Sequence, residues 1–576
     1  MLRGLAVDAA EAPADAPPGP LSGVLSGVTE APADAPADAL AGALADPPAG
    51  APSGLAEEAT LAALLRCCVR EVAGPRGLVW PAPPYLLLRV AGTLLRARAS
   101  GGAALRFEGR PERLESGAWR PLTSDELVVL VETELGVLVE TELGRHAAEG
   151  AERGGVAPRG HNGEFAGQVA ASRRAVAAIL AARAEAAPPA DPWLASEQAL
   201  VYGHPFHPSP KARGGGDWLR YAPEAHAAFP VRLLGVREDV LDEGGDPGAL
   251  DAMGKAPDGY RVLPAHPWQL DLLRPAFGPE LIDLGPGPVV TPTSSVRTVY
   301  AQDAGVCLKF SLDVRITNCV RKNAWYELAG AVELTRRLAP LFDLTAAAHP
   351  GTRWLPEPGY RSAGLGVRLR EGLGVIVRRS PWAACSPGVT PVLAAALAVD
   401  APVTDPLAWW RAYVTVVAPP VLELYFTHGV VLEPHLQNVL VGLDSSGTPV
   451  QAVFRDLEGT KLVAGRHDLS GLPPEVAGAL TYDAGRGWAR VVYCLLVNHL
   501  TEIAATVAGT DDELLRELWR IARDVLDRQA DELGRPLPLS DLLAGAPLPA
   551  KANLGVRWAR AADRAAGYVP IANPLA

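Results

Sequence analysis

No CxxC pair occurs in the 576-residue chain, whose six cysteines lie scattered at 67, 68, 307, 319, 385 and 494. That spacing signals neither a disulfide framework nor a cysteine-ligated zinc site, and it fits a reducing, cytoplasmic compartment. Cations are in short supply. With 53 Lys and Arg against 65 Asp and Glu, the net charge of −12 argues against general nucleic-acid binding and confines any anion site to a local cluster. Long apolar runs are missing too: "VVYCLLV" at 491–497 is far short of the roughly 20 residues that span a bilayer. The N-terminus has no basic segment followed by an apolar one of about 7–15 residues, so neither export nor membrane insertion is expected.

What is present is a globular balance, 48% hydrophobic and 20% charged, on a chain too long for one core. Two or three subdomains and a deep cleft are expected. Residues 1–54 hold almost only Ala, Pro, Gly, Asp, Ser and Leu, with "APADAP" at 12–17 and again at 31–36. Such a segment buries too little apolar surface to offset its ordering entropy and reads as a disordered leader. The octapeptide "VLVETELG", at 129–136 and 137–144, has too short a period for a solenoid and reads as a duplication within a helix or strand. An alanine-rich helical stretch over 162–198 ends at "APPADPW". Strands and turns alternate from 200 to about 380, and beyond about 400 the pattern is mostly helical, interrupted by one hairpin. The fold class is therefore α+β, with a mixed sheet region and a helical C-terminal part, divided as 55–195, 196–395 and 396–576.

That hairpin carries the clearest geometry. "NVLVGLD", "SSG" and "TPVQAVFRD" read as two strands around a turn near Gly447, which brings Asn438 and Asp456 together at the open end. Glu433, His435 and Gln437 precede Asn438. Carboxylate, carboxamide and imidazole at one mouth suit a magnesium and phosphate site, because hard cations take oxygen ligands and share them with phosphates. The same residues would also make a polar turn that satisfies its own backbone.

Upstream, "VCLKFSLD" at 306–313 alternates so that a half-buried strand points Lys309 to its polar face. The next segment is expected to start a helix capped by Thr317 or Asn318, with Arg321 and Lys322 in its first turn. Cations there oppose the helix dipole, which suits a bound anion or simple exposure to solvent. "TPTSSVRTVY" sets Ser294 and Ser295 beside Arg297, a forked donor for phosphate.

"GHPFHPSPKARGG" at 203–215 holds His204 and His207 in a proline frame and adds Lys211 and Arg213 without an acceptor, a combination suited to a polyanion. A zinc site would need a third ligand, and no HExxH lies nearby. "PAHPWQ" at 264–269 reads as a packed turn with a buried Trp268.

In this order, "GHPFHPSPKARGG", "HPWQ", "PTSSVRT", "LKFSLDVRITNCVRKN", "EPHLQNVLV" and "RDLEG" resemble the aerobactin synthetase (IucA/IucC) family, siderophore synthetases that act independently of nonribosomal peptide synthetases. The resemblance covers roughly 195–560, where "PAKANLGVRW" at 549–558 looks like the domain fused to this family. It implies a cupped-hand fold of thumb (55–195), fingers (196–395) and palm (396–576), usually dimeric. It also implies ATP-dependent adenylation of citrate or a related polycarboxylate and condensation with an amine or alcohol. By resemblance, Ser295, Arg297, Lys309, Arg321, His204, His207, Lys211, Gln437 and Asn438 border the nucleotide. Thr317, Arg321, His435 and Lys551 face the acid, Asp456, Glu433 and Asn438 hold Mg²⁺, and His435, Arg321, Lys309 and His204 act in catalysis.

Two other classes share these residues. A kinase-like phosphotransferase would use "HLQNVLV" and "FRDLEG" as a loop and metal aspartate, although the catalytic Asp expected shortly before the Asn is absent. A noncatalytic carboxylate or siderophore binder would use the same cations and need no Asp456. Because the leader cannot support a core, a chain beginning near Ala56 is expected to keep its activity and melting temperature. A large loss in either would show that the leader packs on the rest.

Overall fold

The computed structural model describes residues 51–149, 162–213, 216–316, 319–560 and 567–576. Its first helix, Ala51–Cys67, opens inside the stretch expected to be leader, and Ala56 is fully buried in it. A truncation that spares this helix must therefore cut before Ala51. The remaining leader lies outside the described residues.

The helix packs with Ser124–Glu149 and Phe165–Glu185 against a five-stranded antiparallel sheet whose strands follow sequence order, from Val79–Ala82 to Ala118–Pro121. The octapeptide repeat lies within Ser124–Glu149. Leu64, Leu65, Leu88 and Leu95 make this core, and Leu554 and Trp558 from the far end of the chain complete it.

The middle of the chain builds an eight-stranded antiparallel sheet. Val306–Phe310 sits inside it, between Thr298–Ala301 and Val375–Arg379, with Lys309 opposite Thr298 and Ile376. The expectation of a half-buried strand fails here. Leu308 and Phe310 enter one apolar cluster and Cys307 another, so both faces are covered and Lys309 is only 2% exposed.

The expected helix start at Thr317 or Asn318 is also wrong. Cys319–Arg321 is a strand paired antiparallel with Leu312–Ile316, and the helix runs Trp325–Ala348. β-Branched Val314, Ile316 and Val320 favour the strand. The helix begins where Glu327 reaches back to accept the Ala324 N–H at 2.9 Å. Arg321 is thus not in a helix's first turn, and the dipole argument does not apply to it.

The hairpin forms as read: Val439–Leu443 pairs with Pro449–Phe454, Val439 opposite Phe454. Asp444 accepts the Ser446 and Thr448 amides, and Gly447 takes a φ of 80°, which glycine allows without a Cβ penalty. Two smaller sheets were not expected in this helical part: Val430–Val431, Lys461–Val463 and Thr481–Tyr482 form one, Leu548–Lys551 and Tyr568–Ile571 the other. Among the described residues, Ala484–Ala508 is the one helix long and apolar enough to cross a membrane, but 83% of its apolar window is buried inside the protein. Its middle, Tyr493–Leu500, is almost wholly buried in the core, whereas its first turn carries the exposed Arg486.

Candidate functional site: a buried charge cluster beside a histidine loop

The strand burial of Lys309 forces its ammonium to find anions. It lies 2.7 Å from Asp456 Oδ1, 3.3 Å from Glu458 Oε2 and 3.7 Å from Glu357 Oε1. Arg378 bonds Glu357 Oε1 at 2.5 and 2.8 Å and reaches Asp456 Oδ1 at 3.2 Å. Arg297 pairs with Glu458 and donates to Asn323 Oδ1 at 2.5 Å. Three cations and three carboxylates thus balance, as buried charges must. The arrangement is layered. The three cations are nearly inaccessible, whereas the side chains of Asp456 and Glu458 are 32% and 31% exposed. Burial alone would lower the Lys309 ammonium, but Asp456, Glu357 and Glu458 outweigh it and hold it above its ordinary value. Burial would raise Asp456, yet Lys309, Arg378 and Arg297 keep its carboxyl well below the usual range.

Two residues of this cluster region carry backbone strain. Asp456 has a φ of 74° and Val296, between Ser295 and Arg297, a φ of 68°. A β-branched residue in that region is an outlier of a kind that gathers at functional sites. The turn around Val296 is held by the Val296 amide on Thr293 O at 2.9 Å and by Ser295 Oγ, which accepts the Thr298 amide at 3.1 Å. Val296 also lines a shallow aromatic recess with Trp218, Tyr221, Trp268, Glu224 and Arg213.

At the hairpin mouth, Asn438 O accepts the Arg455 amide at 3.1 Å, which places Asp456 one residue beyond Asn438's partner. Gln437 Nε2 donates to Ser294 O at 2.9 Å and ties the mouth to the serine turn. Glu433 is paired with Arg490 at 3.2 Å, and burial still lifts its carboxyl above the ordinary value. Of the expected metal ligands, Asp456 is therefore engaged by Lys309, and Glu433 by Arg490. Among the described residues no group of three or more His, Cys, Asp and Glu converges as a metal cluster. Asp456, Glu433 and Asn438 nevertheless form an all-oxygen donor set, which is the chemistry a hard cation takes.

The histidines share one arrangement. His204 Nδ1 accepts the Phe206 amide at 3.0 Å, His207 Nδ1 the Ser209 amide at 3.1 Å, and His435 Nδ1 the Gln437 amide at 3.2 Å. With Nδ1 accepting, the neutral ring carries its proton on Nε2. Burial drives His204 down to about 3 and His435 down to about 4, with neighbouring cations adding to the shift, so both are neutral donors rather than cations. The charge of Lys551 adds to the shift of each. Lys211 does not lack an acceptor as expected: it is buried in an ion pair with Glu224. In "PAHPWQ" the buried ring is His266, not Trp268; its Nδ1 accepts the Trp268 amide at 3.2 Å and starts a short helix.

Lys309, Arg297, Asp456, Asn438, Gln437 and Ser295 are thus joined by one set of contacts, while the charge of Lys551 acts on both His204 and His435. Thr317 lies outside the described residues, and of Arg321 only the backbone is described. Lys322 reaches Glu371 at 3.8 Å. Sequence reading missed Glu458, Glu357 and Arg378. "RDLEG" displayed Glu458 two residues after Asp456, but nothing local signalled that Glu357 and Arg378 meet there.

The profile of the IucA/IucC family matches residues 192–399, and that described as ferric iron reductase FhuF-like transporter matches 407–566. The L-2,3-diaminopropanoate–citrate ligase of Staphylococcus aureus is 30% identical over 415 residues, 63% of this chain and 71% of that protein. The chain belongs to the IucA/IucC family. The spermidine-citrate ligase of Bacillus anthracis, 27% identical over 66% of this chain and 73% of its own, is another relative. The ATP-bound aerobactin synthetase IucA from Klebsiella pneumoniae has the same fold, with a TM-score of 0.74 over 90% of this chain and 99% of that one at 22% identity. For a member of this siderophore-biosynthesis family, the charge cluster lies where the profile match and the hairpin meet.

Four imidazoles, those of His266 and His499 buried and those of His204 and His435 half-buried, make stability depend on pH with a definite sign. His204 and His266 are held down to about 3, His435 and His499 to about 4, chiefly by burial. Between about pH 6.5, where an unfolded histidine titrates, and pH 4, the unfolded chain takes up protons that the fold refuses. Acidification therefore removes up to about 1.4 kcal/mol per pH unit for each such ring. Glu71, held up to about 7 by burial, works the other way. The check is urea unfolding at pH 7, 6 and 5: His266→Gln and His499→Gln are each expected to lose less stability on acidification than wild type. Parallel curves would mean the rings are protonated in the fold.

Proposed function

We propose that the chain is an ATP-dependent siderophore synthetase that activates a carboxyl group of citrate, a related polycarboxylate or its monoacyl derivative and couples it to an amine or alcohol. The observation that carries this reading is the layer of three buried cations, Lys309, Arg297 and Arg378, masked by the partly exposed Asp456 and Glu458. A cation layer with removable anions in front suits a reaction that brings a triphosphate and a polycarboxylate together. The names of the relatives, ligases that join citrate to diaminopropanoate or spermidine, support the same class.

In this reading a carboxylate oxygen of the acid attacks the α-phosphorus of ATP, and the bond to pyrophosphate breaks. The nucleophile then attacks the acyl carbon, the bond to AMP breaks, and the nucleophile's proton passes to water. Ser295, Arg297, Lys309, Gln437 and Asn438 hold the nucleotide, joined by Arg321 and His207. Lys211, paired to Glu224, fixes the loop that carries His204 and His207. Thr317, Arg321 and Lys551 hold the acid. His435 and His204, as neutral Nε2–H donors, hydrogen-bond the oxygen on which charge develops. Asp456, Glu433 and Asn438 would hold Mg²⁺, which when bound neutralises phosphate charge. The thumb, fingers and palm division, the homodimer and the cytoplasmic setting belong to the same proposal.

The test is product analysis with a polycarboxylate and hydroxylamine as trapping nucleophile. Pyrophosphate and AMP are expected, whereas ADP would mean a phosphotransferase and no ATP consumption a binding protein. Asp456→Asn is expected to lower pyrophosphate release at least about a hundredfold, the equivalent of roughly 2.7 kcal/mol in the barrier, with an unchanged circular dichroism spectrum. A folded Asp456→Asn protein with wild-type turnover would remove this residue from the site.

A further inference from the structure

Glu197 ends the six-residue helix Pro192–Glu197, is fully buried, and has no place in the chemistry proposed above. Its carboxylate is nevertheless among the most heavily bonded in the protein. Oε1 accepts Trp193 Nε1 at 2.9 Å and Arg455 Nη1 at 2.5 Å. Oε2 accepts Arg455 Nη2 at 3.0 Å, the Ser294 amide at 3.1 Å and Ser294 Oγ at 2.7 Å. Burial would raise this carboxyl, but Arg455, Ser294 and Trp193 hold it below its ordinary value.

Arg455 faces the other way as well. Its Nε and Nη2 donate to Gln437 O at 3.0 and 2.7 Å, and Nη2 also reaches Ser294 Oγ at 3.2 Å. Gln437 Nε2 closes the ring by donating to Ser294 O. One buried, bidentate ion pair therefore ties the Ser294 turn to both arms of the hairpin mouth, at Gln437 and at Arg455. Each tie is made one residue before a group of the proposed nucleotide and metal site: Ser294 before Ser295, Gln437 before Asn438, and Arg455 before Asp456.

Two of these segments each carry a non-glycine residue in the left-handed region, Val296 at 68° and Asp456 at 74°. Such conformations persist only where the surroundings over-determine them. A planar guanidinium gripping a carboxylate with two bonds has the directionality to do so, which a lysine lacks.

We infer that Glu197, acting through Arg455, is a positioning residue that sets the Ser295–Arg297 turn, Asn438 and Asp456 in mutual register, and so governs nucleotide affinity without touching the nucleotide. The inference rests on the proposed ATP chemistry for its functional half, while its structural half stands without any ligand.

The experiment therefore has two arms on the full chain. In the first, hydrogen exchange of ligand-free Glu197→Gln and Arg455→Lys is compared with wild type. Peptides covering 294–298, 435–439 and 454–457 are expected to exchange faster together, at least tenfold, while the sheet of the N-terminal unit is unchanged. Faster exchange in one segment only, or uniformly through the chain, overturns the clamp. In the second, the Kd for ATP with Mg²⁺ is measured without the acid, and KM for ATP and for the acid with it. A tenfold or greater rise is expected for ATP in both measures, against less than twofold for the acid. A folded Glu197→Gln protein with wild-type ATP affinity and wild-type exchange overturns the inference. Should Glu197→Gln not fold, Glu197→Asp, which keeps the charge but shortens the reach, is put through the same two arms. If wild type binds no ATP, the proposed function fails, and the first arm still decides whether the clamp exists.

Discussion

The interior of this protein depends on a charge that cannot be left alone. Lys309 occupies a strand covered on both faces, where an unpaired ammonium would be very unfavourable. Its neutralisation requires Asp456 and Glu458 from beyond the hairpin and Glu357 from the approach to the Gly359–Ala363 strand, and these in turn require Arg378 and Arg297. Breaking one such buried pair typically destabilises by about 3–5 kcal/mol. The sheet and the hairpin are thereby held in one arrangement, and the carboxylates that hold them are the ones a competing polyanion or cation would have to engage.

The same logic extends to the histidine loop, which is fixed from both ends of the chain. Arg70, in the N-terminal unit, lies over the Phe206 ring with its guanidinium carbon 3.1 Å from the ring centroid. Asn553 donates to Phe206 O at 2.9 Å, and Glu71 accepts the Leu554 and Gly555 amides at 3.1 and 2.9 Å. The histidine loop and the segment around Asn553 thus meet because an N-terminal helix grips two loops separated by more than three hundred residues. The loops need that grip: their prolines set a rigid course but supply no backbone donors.

Much of this was legible in the sequence. Composition placed the chain among globular α+β proteins, alternation around Gly447 gave the hairpin and the approach of Asn438 to Asp456, and the ordered motifs gave the family. These signals are local, carried by periodicity, turn chemistry and spacing, which act over a few residues.

What only the tertiary structure decided is which charges meet and which surfaces are covered. Alternation in "VCLKFSLD" looked half-buried because a strand's own sequence cannot say whether its polar face meets solvent or a carboxylate from another segment. Val314, Ile316 and Val320 drew into a strand a stretch that helix-capping rules assigned to a helix start, since sheet preference depends on the partner strand. Lys211 found Glu224, Arg378 found Glu357, and Glu197 found Arg455 across 258 positions, pairings set by burial and not by sequence spacing. The sequence by itself determined most of the elements and the chemical inventory. The packing of sheet, hairpin and terminal loops determined the site, because the energy of a buried charge depends on distances that only the folded chain defines.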